Sequence, residues 1–316
     1  MPDSYRELPQ NEELILLNVG SERFVLDTTP KAWLSAVDAA GIATDQGQAN
    51  LASIRSAAEA SGINALLSEI LGNESGLPIA SDGGGSSYLW LGGTDRDVEG
   101  SWLWADGSTW SYENWGTGTM WAGSGQTSEP DDYQTQDYLA IGLENWPTGS
   151  STGQGLGDFG QWNDISGTNE MPSLLRLPSG ADRLTPSTGL NLAFDMDGAA
   201  GDTVKTLAAV FGADALSQHE YVGIGLELFD SGQSLESVCA LALNAAGART
   251  NNDIVNILYS NLFGRAPTSS EAQTYIDMLD SGAMTAGSIG AAAANLTADL
   301  GVVDLVGLAE TGIAYI

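Results

Sequence analysis

WLGGTDRDVEGSWLWADGSTWSYENWGTG, residues 90–118, packs Trp90, Trp102, Trp104, Trp110 and Trp115 into short aromatic runs broken by Gly and Asp. Runs such as SYLWLGG (87–93) and SWLWADG (101–107) are rich in residues that fit a pleated surface and are bounded by turn formers, so they read as short strands. Two stretches downstream extend the pattern. SEPDDYQTQDYLAIGL (128–143) sets Glu129, Asp131, Asp132 and Asp137 against a strand-like apolar run, and GQWND (160–164) adds Asn163 and Asp164. Like charges crowded this closely repel unless a cation lies between them. Calcium takes about six to eight oxygen ligands from carboxylates, amide carbonyls and water. A solvated acidic loop is the other reading of the same tract.

Composition removes most other chemistries. The 316 residues carry 10 Lys and Arg against 41 Asp and Glu, a net charge of −31. That balance disfavours nucleic acid and anionic membrane as partners and suits a protein that meets cations. The single histidine, His219, has no nucleophile pattern around it, and zinc's nitrogen and sulfur ligands are almost absent. The glycine runs follow neither a P-loop nor a dinucleotide pattern. Cys239, in SLESVCALALN, has apolar neighbours at helical spacing and reads as a buried small hydrophobe; no disulfide can form within the chain. No enzyme activity is expected. The N-terminus lacks a basic start followed by an apolar core, so no signal peptide is expected, and no apolar run is long enough to cross a bilayer.

The chain changes character near residue 178. All nine tryptophans lie before residue 163, and beyond LLRLPSGADRLTPSTG Ala- and Leu-rich helical periodicity takes over. Upstream, TTPKAWLSAVDAAG predicts a helix with a Thr cap, Pro30 in its first turn and Trp33, Val37 and Ala40 on its apolar side. LASIRSAAEASGINALLSEIL predicts a second helix, and SDGGGSS a flexible connection. Helices first and many short strands later make an α+β domain. In the later part, FGADALSQHEYVGIGLELFDSG and FGRAPTSSEAQTYIDMLDSG share an FG start, a central Glu and a DSG end, and TNND and TSSE mark helix starts as capping boxes. DMDG (195–198) reads as a turn. The expected organisation is an N-terminal extension (1–19), an α+β domain (20–177), a linker (178–190) and an all-α module (191–316).

The order WLG, EGSWLW, YENW, EPD, WND resembles the C-type lectin domain, with RFVLDT and the two helices corresponding to its first half; the resemblance covers about residues 20–177. It implies a C-type lectin fold with a long calcium-binding loop between YENW and WND. It implies Ca2+ held by Glu129, Asp131, Asn163 and Asp164, with Glu129, Asp131 and Asn163 also meeting a sugar. A second calcium would be held by Asp95, Glu99, Asp132 and Asp137. The Glu129–Pro130 bond would be cis. Trp121 and Trp146, on the long loops, are the candidates for stacking on a pyranose face, with ordinary packing as the alternative for each.

The likeness has departures. Tyr138 stands where the family carries a cysteine, SLLRL replaces the final cysteine-bearing strand, and tryptophan burial must supply the stability that disulfides would give. Gln136 stands where a shared Glu ligand is expected. In EPD both side chains only accept hydrogen bonds, so neither mannose-type nor galactose-type selection follows, and a donor must come from elsewhere, with Asn163 the candidate. The helical part resembles a C-terminal domain of uncharacterised function in bacterial surface and secreted proteins. That resemblance implies type I secretion without an N-terminal signal peptide. The expected function is a secreted or cell-surface, calcium-dependent, carbohydrate-binding adhesin meeting a glycan or glycosylated surface. The alternative is a calcium-stabilised structural subunit that self-associates into a surface layer or filament without binding sugar.

Overall fold

The computed structural model describes residues 5–8, 11–71, 76–118, 128–133, 135–185 and 190–316, with side chains from residue 14 onward. Trp121 lies outside the described residues. Two units are distinguished by their internal contacts, the second beginning at Leu190.

The first unit runs β1 (Tyr5–Leu8), β2 (Asn11–Val19), β3 (Glu22–Lys31), α1 (Trp33–Ala39), β4 (Ala43–Thr44), β5 (Gly47–Gln48), β6 (Asn50–Leu51), α2 (Ala57–Leu71), β7 (Ile79–Ala80), β8 (Ser86–Thr94), β9 (Leu103–Trp104), β10 (Tyr138–Gly142), β11 (Trp162–Ile165), β12 (Met171–Arg176) and β13 (Arg183–Thr185). Its main sheet has the order β1-β2-β3-β12-β8-β10-β11, with β6, β7 and β9 pairing at its sides. β8 is the hinge of the architecture. It pairs in parallel with β12 (Ser173 opposite Trp90) and antiparallel with β10 (Ala140 opposite Trp90), and every residue from Ser86 to Gly93 is buried. A strand covered on both faces carries large apolar side chains in succession, which is why YLWL (88–91) shows no polar alternation. Register then carries the chemistry: β10 and β11 pair Ala140 with Asn163 and Leu139 with Asp164.

Aromatic burial fills the core beside β8. Trp102, Trp104, Trp110, Trp115 and Trp162 lie ring to ring at centroid distances of 4.5–6.3 Å, mostly tilted or edge-on. Such pairs contribute about 0.5–1.5 kcal/mol each beyond their area. Trp33 and Trp90 donate their indole N–H groups to the carbonyls of Leu91 and Lys31, each at 2.9 Å, tying helix α1 and strand β3 to β8.

Three expectations need correction here. Residues assigned to an N-terminal extension build β1 and β2, and β2 pairs with β3 through Leu14–Val19, so Leu16 and Leu17 are core residues. NEELILLNV needs that partner strand to bury its apolar run. The Thr cap and Pro30 of the first helix belong instead to β3, and α1 starts at Trp33 from Ala32 without a side-chain cap. LASIRS, read as the start of the second helix, runs through β6 and an irregular connection, and α2 begins at Ala57.

The second unit runs β14 (Asn191–Ala193), α3 (Ala199–Phe211), α4 (His219–Asp230), α5 (Leu235–Ala245), α6 (Asn251–Phe263), α7 (Ser269–Asp280), α8 (Ala286–Asp299), α9 (Leu305–Thr311) and β15 (Ile313–Tyr315). It is mainly rather than wholly helical, because β14 and β15 pair antiparallel. The TNND and TSSE starts are reciprocal capping boxes at Thr250/Asp253 and Thr268/Glu271. DMDG is a turn leading into α3, closed by Gly198 N–H donating to Asp195 O. Cys239 is buried against Thr206, and burial pushes its thiol up to about 11. Among the described residues no helix is long and apolar enough to cross a membrane.

Candidate metal and ligand site

Two acidic groups form at the loop end of β8, β10 and β11. In the first, carboxylate oxygens of Glu129, Asp131 and Asp164 lie within 4.8 Å of one another; in the second, those of Asp95, Glu99 and Asp137 do.

The first group is built around β11. Asp164 is 1% exposed and accepts the backbone N–H groups of Asp131 (3.1 Å) and Asp132 (2.7 Å), which folds the acidic loop onto the sheet. The Glu129–Pro130 bond is cis, as is Trp146–Pro147. Glu129 is buried; its Oε1 accepts the Trp146 indole N–H at 3.1 Å, while its Oε2 has no hydrogen-bond partner. Burial, then the charge of Asp131, pushes the Glu129 carboxyl up to about 8. Burial pushes Asp164 up to about 7 despite its backbone donors. Asp131 is raised too, mainly by burial.

Asn163 joins this group through Tyr88. The Tyr88 hydroxyl donates to Gly83 O at 2.7 Å and accepts Asn163 Nδ2 at 3.0 Å, which fixes the amide by one of its two N–H groups and leaves the amide oxygen as an acceptor. Glu129, Asp131, Asn163, Tyr133, Gln136 and Trp146 are among the walls of a cavity of about 260 Å³. Tyr88→Phe removes that anchor and leaves two buried groups unpaired. We expect the calcium midpoint to rise about five- to tenfold with the tryptophan fluorescence of the folded state unchanged, read by calcium titration.

In the second group Asp95 is 3% exposed, accepts Gly100 N–H at 2.9 Å with Oδ2, and leaves Oδ1 buried without a partner. Strand pairing brings Asp95 to Asp137, whose carbonyl accepts the Asp95 N–H at 3.2 Å. Burial raises the Asp95 carboxyl, and the charges of Asp137 and Asp132 add to it.

Asp132, expected in this second set, is not among its grouped oxygens. It takes φ 50°, and its Oδ1 accepts Gln136 N–H at 3.1 Å, so it closes the loop. Gln136 has its amide nitrogen tied down beside the site. Its amide donates to Asp82 O (3.1 Å) and Oδ2 (3.3 Å), and Asp82 also accepts from Ser166 N–H and Asn169 Nδ2, each at 2.8 Å. A Glu at 136 would face that carboxylate with no proton to offer, which accounts for the amide.

Trp146 is 1% exposed and offers no open face for stacking, a correction to its expected role. Gly116, Gly142 and Gly157 enclose it: a Cβ at any of them would come within 2.1–2.7 Å of its ring. It serves as the floor that orients Glu129. Tyr133 is 50% exposed on the cavity wall and is, among the described residues, an aromatic face open to a ligand there.

The donors are all hard oxygens, and Glu129 Oε2 and Asp95 Oδ1 are buried acceptors without partners. Both observations fit a hard dication such as calcium, held by Glu129, Asp131, Asn163 and Asp164 in one group and by Asp95, Glu99 and Asp137 in the other.

The first unit has the C-type lectin fold, and residues 37–170 match the family model of the lectin C-type domain. Residues 240–292, in the helical unit, match that of a domain of unknown function, DUF4214. Among curated proteins the chain is similar to ladderlectin of Oncorhynchus mykiss, 32% identical over 125 residues, which is 40% of this chain and 48% of that protein. The chain thus spans about half the length of the curated relative it matches. Solved structures include the C-type lectin CEL-I from Cucumaria echinata (21% identity, 52% of this chain and 95% of that one, TM-score 0.37) and human lithostathine (18%, 51% and 87%, TM-score 0.36).

Proposed function

We propose that the first unit binds calcium and, through it, a carbohydrate. The observation that carries this reading is the cavity where Glu129, Asp131 and Asn163 meet, with Glu129 Oε2 buried and unpartnered. The lectin C-type domain match and the relatives named as lectins support it. Calcium bound there would present open coordination positions to vicinal sugar hydroxyls. Asp131 would accept from those hydroxyls, the second Nδ2 N–H of Asn163 would donate to one of them, and Tyr133 would take the apolar face of the ring. The protein would work outside the cell, exported by a type I route, where calcium near 10⁻³ M matches the affinity of extracellular modules. No reaction is catalysed in this reading.

A glycan array with and without chelator tests the proposal. Binding should require calcium, and Tyr133→Ala should weaken it about tenfold while leaving the calcium midpoint in place. An array blank in millimolar calcium, with calcium-driven growth of light scattering, would replace the proposal with the structural-subunit reading.

A further inference from the structure

No Lys, Arg or His occurs between Arg96 and Arg176, a stretch that carries twelve Asp and Glu and supplies most of the walls of the cavity beside Glu129. The bases at its two ends are engaged elsewhere. Arg96 pairs with Asp97 at 3.2 Å, and Arg176 with Glu22 at 2.7 Å and Glu59 at 2.6 Å. Among the described residues, Asp82, Glu129, Asp131 and Asp164 make no ion pair with a Lys or Arg.

The rest of the wall, Ser81 to Gly84, adds one more carboxylate. Asp82 is partly exposed and lines the same cavity as Glu129 and Asp131. The donors to its carboxylate, Gln136 Nε2, Ser166 N–H and Asn169 Nδ2, are all neutral, so its charge is held in place without being offset. Among the described residues its Oδ1 accepts from Asn169 alone, and a carboxylate oxygen has room for a second donor. These charges are felt across the site: burial raises the Tyr88 hydroxyl, and Glu129, Asp82 and Glu144 add to the rise. A dication held by Glu129, Asp131 and Asp164 would offset two of their three charges and leave Asp82 unbalanced. A ligand arriving there meets negative potential. A uronate or a sulfated sugar would find no Arg or Lys on the walls to receive it.

We infer that the sugar received here carries a free amine, whose ammonium group pairs with Asp82; this rests on the calcium and sugar reading above. An N-acetyl group or a hydroxyl at the same carbon leaves that charge unanswered. The test uses the full chain at neutral pH in millimolar calcium, with affinities read by saturation-transfer nuclear magnetic resonance. Glucosamine, galactosamine and mannosamine are titrated beside their N-acetyl forms and parent hexoses, with glucuronate and galacturonate as anionic counterparts. At least one amine should bind about fivefold more tightly than its N-acetyl form and its hexose, with the uronates weakest. Binding should be lost in chelator. The advantage of the amine should shrink as sodium chloride rises from about 0.05 to about 0.5 M, because screening acts on its charge. Asp82→Asn should bring the amine down to its hexose while the hexose affinity and the calcium midpoint hold. The sugar series and its salt dependence need no variant, so they decide the matter even where Asp82→Asn fails to fold. Hexoses that bind as tightly as their amines, or an amine advantage indifferent to salt or kept in Asp82→Asn, would overturn the assignment and leave the sugar reading standing. Failure of every sugar to bind in calcium would remove the sugar reading as well.

Discussion

Calcium at a hundred times its pH 8 dissociation constant should raise the melting temperature of the first unit by about 5–10 °C at pH 8, and the same concentration by far less at pH 5. All nine tryptophans belong to that unit, so indole fluorescence reports its melting without interference from the helical unit. The sign follows from burial. Glu129 and Asp164 are raised to about 8 and about 7, above the carboxylate range they return to on unfolding. Between about pH 4 and pH 8 the calcium-free folded unit therefore binds more protons than the unfolded chain. Their contribution to stability is fully present below the unfolded values and is lost as pH rises through the folded ones. Calcium binds the ionised forms, so it competes with those protons and gains affinity over the same window. Melting in chelator should fall from pH 5 to pH 8, while melting in calcium should hold or rise. An equal calcium shift at both pH values, or none at either, would remove dication binding at these carboxylates.

The parts of the fold legible in the sequence are those with local punctuation. β8, β9, β10 and β12 contain short apolar or aromatic runs between turn residues, and the capped helices of the second unit carry their start signals within four residues. β2 escaped because its apolar run means little without β3 beside it, and no motif precedes residue 20. The same division holds at the site. Carboxylates announce themselves by crowding, but their supports do not. Tyr88 reaches Asn163 across the intervening strand β10, a relation set by register alone. Asp82 sits in SDGGGSS, where glycines suggest only flexibility, yet four donor contacts hold it. Trp146 looks in sequence like any loop tryptophan. What makes it a buried floor is the absence of side chains at Gly116, Gly142 and Gly157, which only the folded chain brings together.

Glu129→Gln and Asp164→Asn each remove one negative charge from the same group, and they should part company once calcium is withdrawn. In Glu129 the charge is poorly served: Oε1 has the Trp146 indole and Oε2 has nothing. An amide keeps the acceptor for Trp146 and turns an N–H toward Asp131, whose charge now opposes Glu129. Glu129→Gln in chelator at pH 8 should therefore be more stable than the parent by about 1–2 kcal/mol, a rise of about 2–8 °C. In Asp164 both oxygens accept backbone N–H groups from Asp131 and Asp132. An amide there must aim its own N–H groups at one of those donors, so Asp164→Asn should gain nothing in chelator and melt at or below the parent. In saturating calcium both should fall below the parent, because each has lost a charged ligand. The melting curves of Glu129→Gln and parent thus cross between chelator and calcium, and those of Asp164→Asn do not. Parallel behaviour of the two variants in chelator would mean that the unpaired oxygen of Glu129 carries no special cost, and with it would go the reason for assigning that oxygen to a metal.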